Sequence, residues 1–174
     1  MRVLNLLFLQ MKRAWIVILV VFICLSVTPV FSISKKDFDR VVDFNATIDS
    51  LSVALEKNLS VDREKIYVLN GTVSSVTIVN RKRANYEVIL EVVSGKWVGL
   101  EKIEVYKVMV RFKGPQYYGV ILTRKPRRAS HPVIVPNTKV LFVGKIVGQT
   151  KPINFADSSD KAWLFEGFYI RAID

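Results

Sequence analysis

The chain has 174 residues, of which 51% are hydrophobic, and a formal net charge of +11 at pH 7. Its single cysteine, Cys24, lies within an apolar N-terminal run, so the rest of the chain can form neither an internal disulfide nor a thiolate metal site. About 140 residues follow that run, which is enough for one domain with its own hydrophobic core.

The N-terminal segment predicts export. No residue from Ala14 to Ser34 is charged, and Lys12 and Arg13 precede the run. This pattern is typical of a signal peptide, with cleavage after Ser32. If residues 14–34 instead stay helical, they just span a bilayer core of about 30 Å. Either way, everything after about Lys35 crosses the cytoplasmic or ER membrane: it stays membrane-anchored through 14–34, or it becomes periplasmic or secreted if cleaved. A start at Met11 would give a more ordinary signal sequence.

Residues 35–62 predict an amphipathic helix. Its apolar side chains recur at spacings of three and four: Phe38, Val41, Phe44, Ile48, Leu51 and Leu55. Such a stripe could seed a short coiled coil, or it could dock on the domain that follows. We expect docking, because barely three heptads make a marginal coiled coil.

From Ile66 the pattern changes to β-strand. The segment IYVLNGTVSSVTIV is rich in β-branched residues, and Gly71 falls where the alternation slips, which predicts a bulge. The next strand, YEVILEVV, should bury Tyr86, Val88, Leu90 and Val92, place Glu87 and Glu91 outward, and turn at Ser94-Gly95. A strand over 102–112 should follow, with alternate residues inward (Tyr106, Val108, Val110, Phe112) and the others outward (Lys107, Met109, Arg111).

Three further elements complete the domain. YYGVILT predicts a short strand, and TRKPRRASHP predicts a solvated basic connection. NTKVLFVGKIVG predicts a strand that bends at Gly144 and Gly148. In the last strand, one face should carry Trp163, Phe165, Gly167 and Tyr169, and the other face should carry Leu164, Phe168 and Ile170.

Many short strands without a βαβ alternation predict a mainly β fold, a small closed or nearly closed barrel over residues 63–174. The order of the predicted elements resembles the OB-fold across about 66–173. A long strand with Asn70-Gly71-Thr72-Val73 is followed by a hairpin, a strand over 137–146 and a final strand. It looks like the exported tRNA-anti-like OB domains that follow a signal or anchor segment. It departs from the OB pattern between strands three and four, where a helix is usual.

A second relative in architecture is the membrane-anchored haem chaperone of cytochrome c maturation, which also joins an anchor to an OB barrel. That family needs a haem-attaching histidine near its C-terminal end. Residues 132–174 of this chain contain no histidine, so the haem function is not carried over.

The residues available for catalysis are few. His131 is the single histidine, which excludes zinc sites built from His and Cys and leaves a Ser-His-Asp triad without a positioning motif. Glu87 and Glu91 lie about 13 Å apart by strand rise, too far for glycosidase chemistry. Asp157 and Asp160 lack the spacing of a calcium loop. We therefore expect no enzyme activity, no cofactor and no metal.

The charge is unevenly distributed. Residues 37–79 hold seven acids against four bases, whereas residues 80–128 hold twelve bases against four acids. The resemblance to the OB-fold implies a ligand face on strands two and three and their flanking loops. The candidate polyanion-binding residues are Arg81, Lys82, Arg83, Lys107, Arg111, Arg124, Lys125, Arg127 and Arg128. Tyr86, Tyr117, Tyr118 and Phe155 are candidate stacking aromatics.

Two functions follow from these observations. The first is a non-catalytic envelope protein that binds another protein through the helix at 37–59 or through an open barrel edge. The alternative is a module that binds anionic lipid headgroups, envelope polymers or an oligonucleotide through its basic loops, although export places most nucleic acid out of reach. The sequence is also consistent with a solvated basic surface that has no ligand, if Glu87 and Glu91 face and neutralise Lys107 and Arg111 across the strand pair.

Overall fold

The computed structural model describes residues 35–99, 102–128, 132–151 and 161–173. The predicted signal or anchor at 1–34 lies outside the described residues, as do His131, Phe155, Asp157 and Asp160. Within the described ranges, no helix is both long and apolar enough to cross a membrane. The helices and strands are α1 (Lys35–Val41), β1 (Val42–Asp43), α2 (Ile48–Glu56), β2 (Ile66–Asn80), β3 (Glu87–Val98), β4 (Lys102–Lys113), β5 (Lys139–Thr150) and β6 (Ala162–Ala172).

The five long strands close into a barrel. The sheet order is β1-β2-β3-β4-β6-β5, and β2 also pairs with β5. Among the long strands all pairings are antiparallel except β4 with β6, which is parallel. The mainly β barrel is therefore confirmed. A first strand shared between the second and fourth, with the third parallel to the fifth, is consistent with an OB-like Greek-key barrel.

Strand β2 bends because it changes partners along its length. Its first half pairs with β5 from Ile66 to Thr72, and its second half pairs with β3 from Thr72 onward. Gly71 lies at this change of partner, where a Cβ would come within 2.7 Å of a Val92 methyl carbon. The bulge predicted at Gly71 is wrong: the register slips three residues later, between Val73 and Ser75. Gly71 is required for close packing instead.

The β3–β4 hairpin fills the core as predicted but extends further. Val88, Leu90, Val92, Val108 and Val110 are fully buried. The predicted turn at positions 94 and 95 is wrong, because cross-strand pairing continues to the end of β3 and the chain turns at position 99, where glycine takes a φ of 69°. Residues 94–98 of β3 and 102–107 of β4 therefore project beyond the region that pairs with the rest of the barrel.

The predicted strand YYGVILT does not form. The chain instead makes a 3₁₀ helix at Pro115–Tyr117, turns at Gly119 with a φ of 81°, and forms one isolated bridge between Ile121 and Ile134. Both isoleucines are buried in the barrel core. This irregular segment lies between the third and fourth barrel strands, where the OB pattern usually has a helix.

The prediction of a single amphipathic helix over residues 35–62 is also wrong. The chain leaves helical geometry at β1, which pairs in parallel with the start of β2. The Asp43 side chain accepts hydrogen bonds from the backbone N–H groups of Asn45 and Ala46, and Thr47 caps the new helix α2. Docking is confirmed for α2 alone: Ile48 is 1% exposed and belongs to the barrel core.

The last two strands carry irregularities at their glycines. The β5–β6 register shifts next to Gly144 and Gly148, the two predicted bends. A Cβ on Gly144 would lie 2.7 Å from the Glu166 carbonyl oxygen. Beyond Gly167 the predicted alternation of β6 fails, since Tyr169 is half exposed and Ile170 is buried.

Candidate anion-binding end of the barrel

The loop between β2 and β3 presents three adjacent cations. The Asn80 side chain accepts a hydrogen bond of 2.9 Å from the Lys82 N–H, and a 3₁₀ turn follows at Arg83–Asn85. Arg81, Lys82 and Arg83 are all exposed on this turn. The Asn80 side chain thus holds the backbone of the turn. The basic side chains of the turn extend into solvent.

Two tyrosines tie this loop to the segment after β4. Tyr86 is buried, and its hydroxyl donates a 2.7 Å hydrogen bond to the Ile121 carbonyl. Burial raises the pKa of Tyr86, so it stays a neutral donor. Its ring meets Tyr118 edge-on at 5.5 Å, and the Arg83 guanidinium lies 6.0 Å from the Tyr118 ring centre. The half-exposed Tyr118 thus lies beside the first basic loop.

The second basic segment is a loop closed at its base. Leu122 donates its N–H to the Ile134 carbonyl at 2.9 Å, and Ile134 donates to the Val120 carbonyl at 2.8 Å. Four exposed cations follow this closure: Arg124, Lys125, Arg127 and Arg128. The loop borders an open groove of about 620 Å³ whose other wall includes Ile78, near the end of β2.

Both loops therefore meet at the end of the barrel where β2 finishes and β3 begins. We call the seven exposed cations of these loops the basic end; they are Arg81, Lys82, Arg83, Arg124, Lys125, Arg127 and Arg128. Residues 81–86 and 122–128 contain no acid. Glu87 is the next residue along the chain, and its carboxylate lies 3.5 Å from the Lys113 ammonium.

The other two predicted cations lie elsewhere. Lys107 and Arg111 are half-buried on the outer face of β4, and Lys107 lies six positions before the end of that strand. Six positions of strand correspond to about 20 Å. The structure thus places seven of the nine candidates on the two loops, Lys107 far along β4 from them, and Arg111 on β4 opposite Ile89.

The prediction that Glu87 and Glu91 face Lys107 and Arg111 across the strand pair is wrong, because β3 and β4 pair in a different register. Glu91 lies opposite Met109 and Glu87 opposite Lys113, whereas Lys107 and Arg111 face Val93 and Ile89. The hairpin turn comes at position 99 instead of 95, which changes every predicted partner. Neither cation therefore lies directly opposite the acid that was expected to face it.

Glu91 was expected on the outer, solvated face but is 1% exposed. The Ser74 hydroxyl donates a 2.6 Å hydrogen bond to its Oε1, while within the described chain its Oε2 has no hydrogen-bond partner. Ser74 sits in the bulge of β2, and a bulge position was not readable from the sequence. This buried polar pair is the feature that sequence reasoning missed.

The aromatic predictions are only partly met. Tyr86 and Tyr117 are buried, and the Tyr117 hydroxyl donates to the Phe168 carbonyl at 2.8 Å, so neither can stack on a ligand. Tyr118 remains available at 49% exposure. In the described part of the chain, no three His, Cys, Asp or Glu side chains are grouped to hold a metal ion.

Comparison with known proteins gives little sequence similarity. No family model matches the chain, and no curated protein sequence matches it. Among solved structures, the chain is similar to the crystal structure of a small single-stranded DNA-binding protein from Streptomyces coelicolor, with 10% identity and a TM-score of 0.34 over 62% of this chain and 91% of that one. The strand order described above, and not this similarity, carries the assignment of an OB-like barrel.

Proposed function

We propose that this protein is an exported, non-catalytic binding module that holds a polyanion at the basic end of its OB-like barrel. The observation that carries the proposal is the convergence of two loops about forty residues apart in the sequence. Together they present seven exposed cations at one end of the barrel, and three of them, Arg124, Lys125 and Arg127, line the groove. Clustered cations of one sign attract and retain polyanions, and the effect weakens as salt screens it.

The chemistry of the site favours backbone recognition over recognition of a particular sequence. The cations are long, exposed side chains on loops, which suits repeated anionic groups such as phosphates or sulfates. Tyr118 offers one ring for stacking, with Arg83 beside it. The ligand class is therefore an anionic polymer of the cell envelope or a nucleic acid strand, held through its charged backbone.

The salt dependence of binding tests this proposal. We expect the full-length protein, in detergent micelles, to bind both dextran sulfate and an oligo-dT strand. If about four phosphates are neutralised, the slope of log Kobs against log salt for oligo-dT is about −2.8, or roughly a 50-fold loss of affinity between 50 and 200 mM. Binding that is absent, or insensitive to salt, would contradict the proposal.

A matched pair of variants locates the site. Arg127→Ser with Arg128→Ser removes two cations from the basic end, and Lys57→Ser with Lys151→Ser removes two exposed cations from other parts of the chain. Both doubles change the net charge equally. We expect the first to reduce the slope for oligo-dT by roughly 1.4 and the second to leave it nearly unchanged. Equal effects would show that only net charge matters.

A protein-binding role is the second candidate. Barrel closure leaves an open edge only along the projecting β3–β4 hairpin among the five long strands described in full, because residues 94–98 and 102–107 pair with each other and with no third strand. The observation that still favours it is the exposed apolar group Phe38, Val41 and Phe44 at α1 and β1. Recovery of the same partners after Phe38→Ser and Phe44→Ser would eliminate this route.

A further inference from the structure

The far end of the β3–β4 hairpin carries an exposed apolar strip. Trp97, Ile103 and Val105 are 66%, 49% and 60% exposed. Trp97 lies directly opposite Ile103, and Gly95 lies opposite Val105, so these residues share one face of the two-stranded ribbon. Because Gly95 adds no side chain, the three apolar groups form one continuous surface. Exposed apolar surface of this kind marks an interaction site.

The charges around the strip are paired on the opposite face. The Lys102 ammonium lies 2.9 Å from Glu104, and the Lys96 ammonium lies 3.8 Å from Asp49 of α2. Trp97, Ile103 and Val105 carry no charge themselves, and Lys107, two positions after Val105 on the same face, lies at the barrel side of the strip. A tryptophan with branched aliphatic residues, flanked by lysines whose long stems can extend to water, is the composition that suits a membrane interface.

A second exposed apolar group lies in the segment that precedes α2. The ion pair between Asp49 and Lys96 places the start of α2 beside the ribbon, and Phe44 lies five positions earlier in the chain. Phe44 is 56% exposed, and its ring lies 5.9 Å from that of Phe38. Exposed apolar side chains therefore occur both on the ribbon and on the segment through which the chain enters the domain.

The sequence before this segment indicates what covers the apolar surface. Residues 14–34 carry no charge and are long enough to span a bilayer, and they end one residue before α1. We propose that Trp97, Ile103 and Val105 enter the interfacial layer of the membrane in which residues 14–34 are anchored. This inference rests on the exported protein of the proposed function, in the form that keeps residues 14–34 as a membrane anchor.

The orientation also defines the ligand of the basic end. β3 has 12 residues, so its two ends are separated by about 36 Å of strand. With the hairpin tip in the interface, the loop that precedes Glu87 lies at the other end of this strand. The polyanion is then a polymer away from the membrane and not the headgroups of the same leaflet. Because the apolar strip adds no charge, docking needs no anionic lipid.

Spin-label accessibility tests the orientation directly. The full-length protein with Cys24→Ser is reconstituted into phosphatidylcholine liposomes with one label, at Val105→Cys in one sample and at Asn85→Cys, in the exposed turn next to the basic loop, in the other. We expect the label at 105 to lose collisions with a water-soluble nickel chelate and to gain collisions with oxygen. The label at 85 should stay accessible to nickel. Circular dichroism in detergent confirms that both variants fold.

Each other outcome overturns the proposal. A label at 105 that stays accessible to nickel, in protein that floats with the liposomes, refutes docking but leaves the anchor and the basic end intact. Protein that fails to float refutes both the anchor and the docking. Protection at 105 accompanied by dipolar broadening that grows with the ratio of protein to lipid shows instead that a second copy covers the strip.

Discussion

At the scale of single residues, the contact between Glu91 and Ser74 offsets the cost of burying a carboxyl group. The carboxylate is 1% exposed, and it depends on the 2.6 Å hydrogen bond that the Ser74 hydroxyl donates. A buried carboxylate that loses a donor keeps its desolvation cost without the compensating bond. The bulge that aligns Ser74 with Glu91 therefore supplies the hydrogen-bond donor for this buried carboxyl group.

We predict that Ser74→Ala lowers the free energy of unfolding by about 1–3 kcal/mol, because Glu91 Oε1 loses its donor. Ser75→Ala is the control. Its hydroxyl is buried and makes no hydrogen bond within the described chain, so we expect a change of about 0.5 kcal/mol or less. Denaturant unfolding followed by circular dichroism measures both. Equal losses for the two serines would show that the Ser74–Glu91 bond contributes nothing.

At the scale of elements, the N-terminal region shows how one apolar stripe is divided between core and surface. Ile48 and Leu51 are buried under the barrel, and the Trp163 indole N–H donates a 2.8 Å bond to the Leu51 carbonyl. Val41 and Phe44, on the same predicted stripe, are exposed. The break at β1 separates them, and it arises from pairing with Ile66 and Tyr67, which lie more than twenty residues away.

We predict a large loss of stability for one side-chain truncation on that stripe and a small change for another. Ile48→Ala should cost about 2–5 kcal/mol, because it removes buried methyl groups beside Gly71 and leaves a cavity. Val41→Ala should change the free energy of unfolding by about 0.5 kcal/mol or less. Thermal unfolding of the two variants distinguishes them. Similar losses would mean that α1 is packed as tightly as α2.

At the scale of the whole molecule, tyrosine ionisation limits stability in alkali. Burial, with Asp62 nearby, raises the pKa of Tyr67 to about 12, and the hydrogen bond to Glu104 raises the pKa of Tyr106 to about 12. The ordinary value is 10.0. The unfolded chain therefore releases these protons first, so their stabilising contribution is complete below pH 10 and is lost as the pH rises through 12.

We accordingly predict that the thermal unfolding midpoint decreases as the pH is raised from 10 to 12. Ultraviolet titration of the folded protein should show tyrosines that ionise late in that range. Tyr106→Phe keeps the ring, removes one titrating group and should flatten the pH dependence. Tyr118→Phe, at a tyrosine on the surface, is the matched control. Tyrosinate absorbance that develops fully near pH 10 would rule out the raised values.

The sequence by itself determined the class of fold and the chemistry it lacks. Alternation of apolar residues fixes which face of a strand is buried, so Val88, Leu90, Val108 and Val110 were identified correctly. The scarcity of histidine and cysteine limited the available metal and thiol chemistry without any structure. The basic loops were also visible, because runs of arginine and lysine beside proline cannot form a core.

The tertiary structure alone decided which cations belong together and which acids are buried. Register depends on where a hairpin turns, and the turn at position 99 placed Lys107 and Arg111 opposite Val93 and Ile89 instead of opposite the acids. The bulge at Ser74 and the break at β1 arise from pairing between distant strands, which local periodicity does not encode. Residue pattern is a local property, whereas register and closure are set by contacts between segments far apart in the chain.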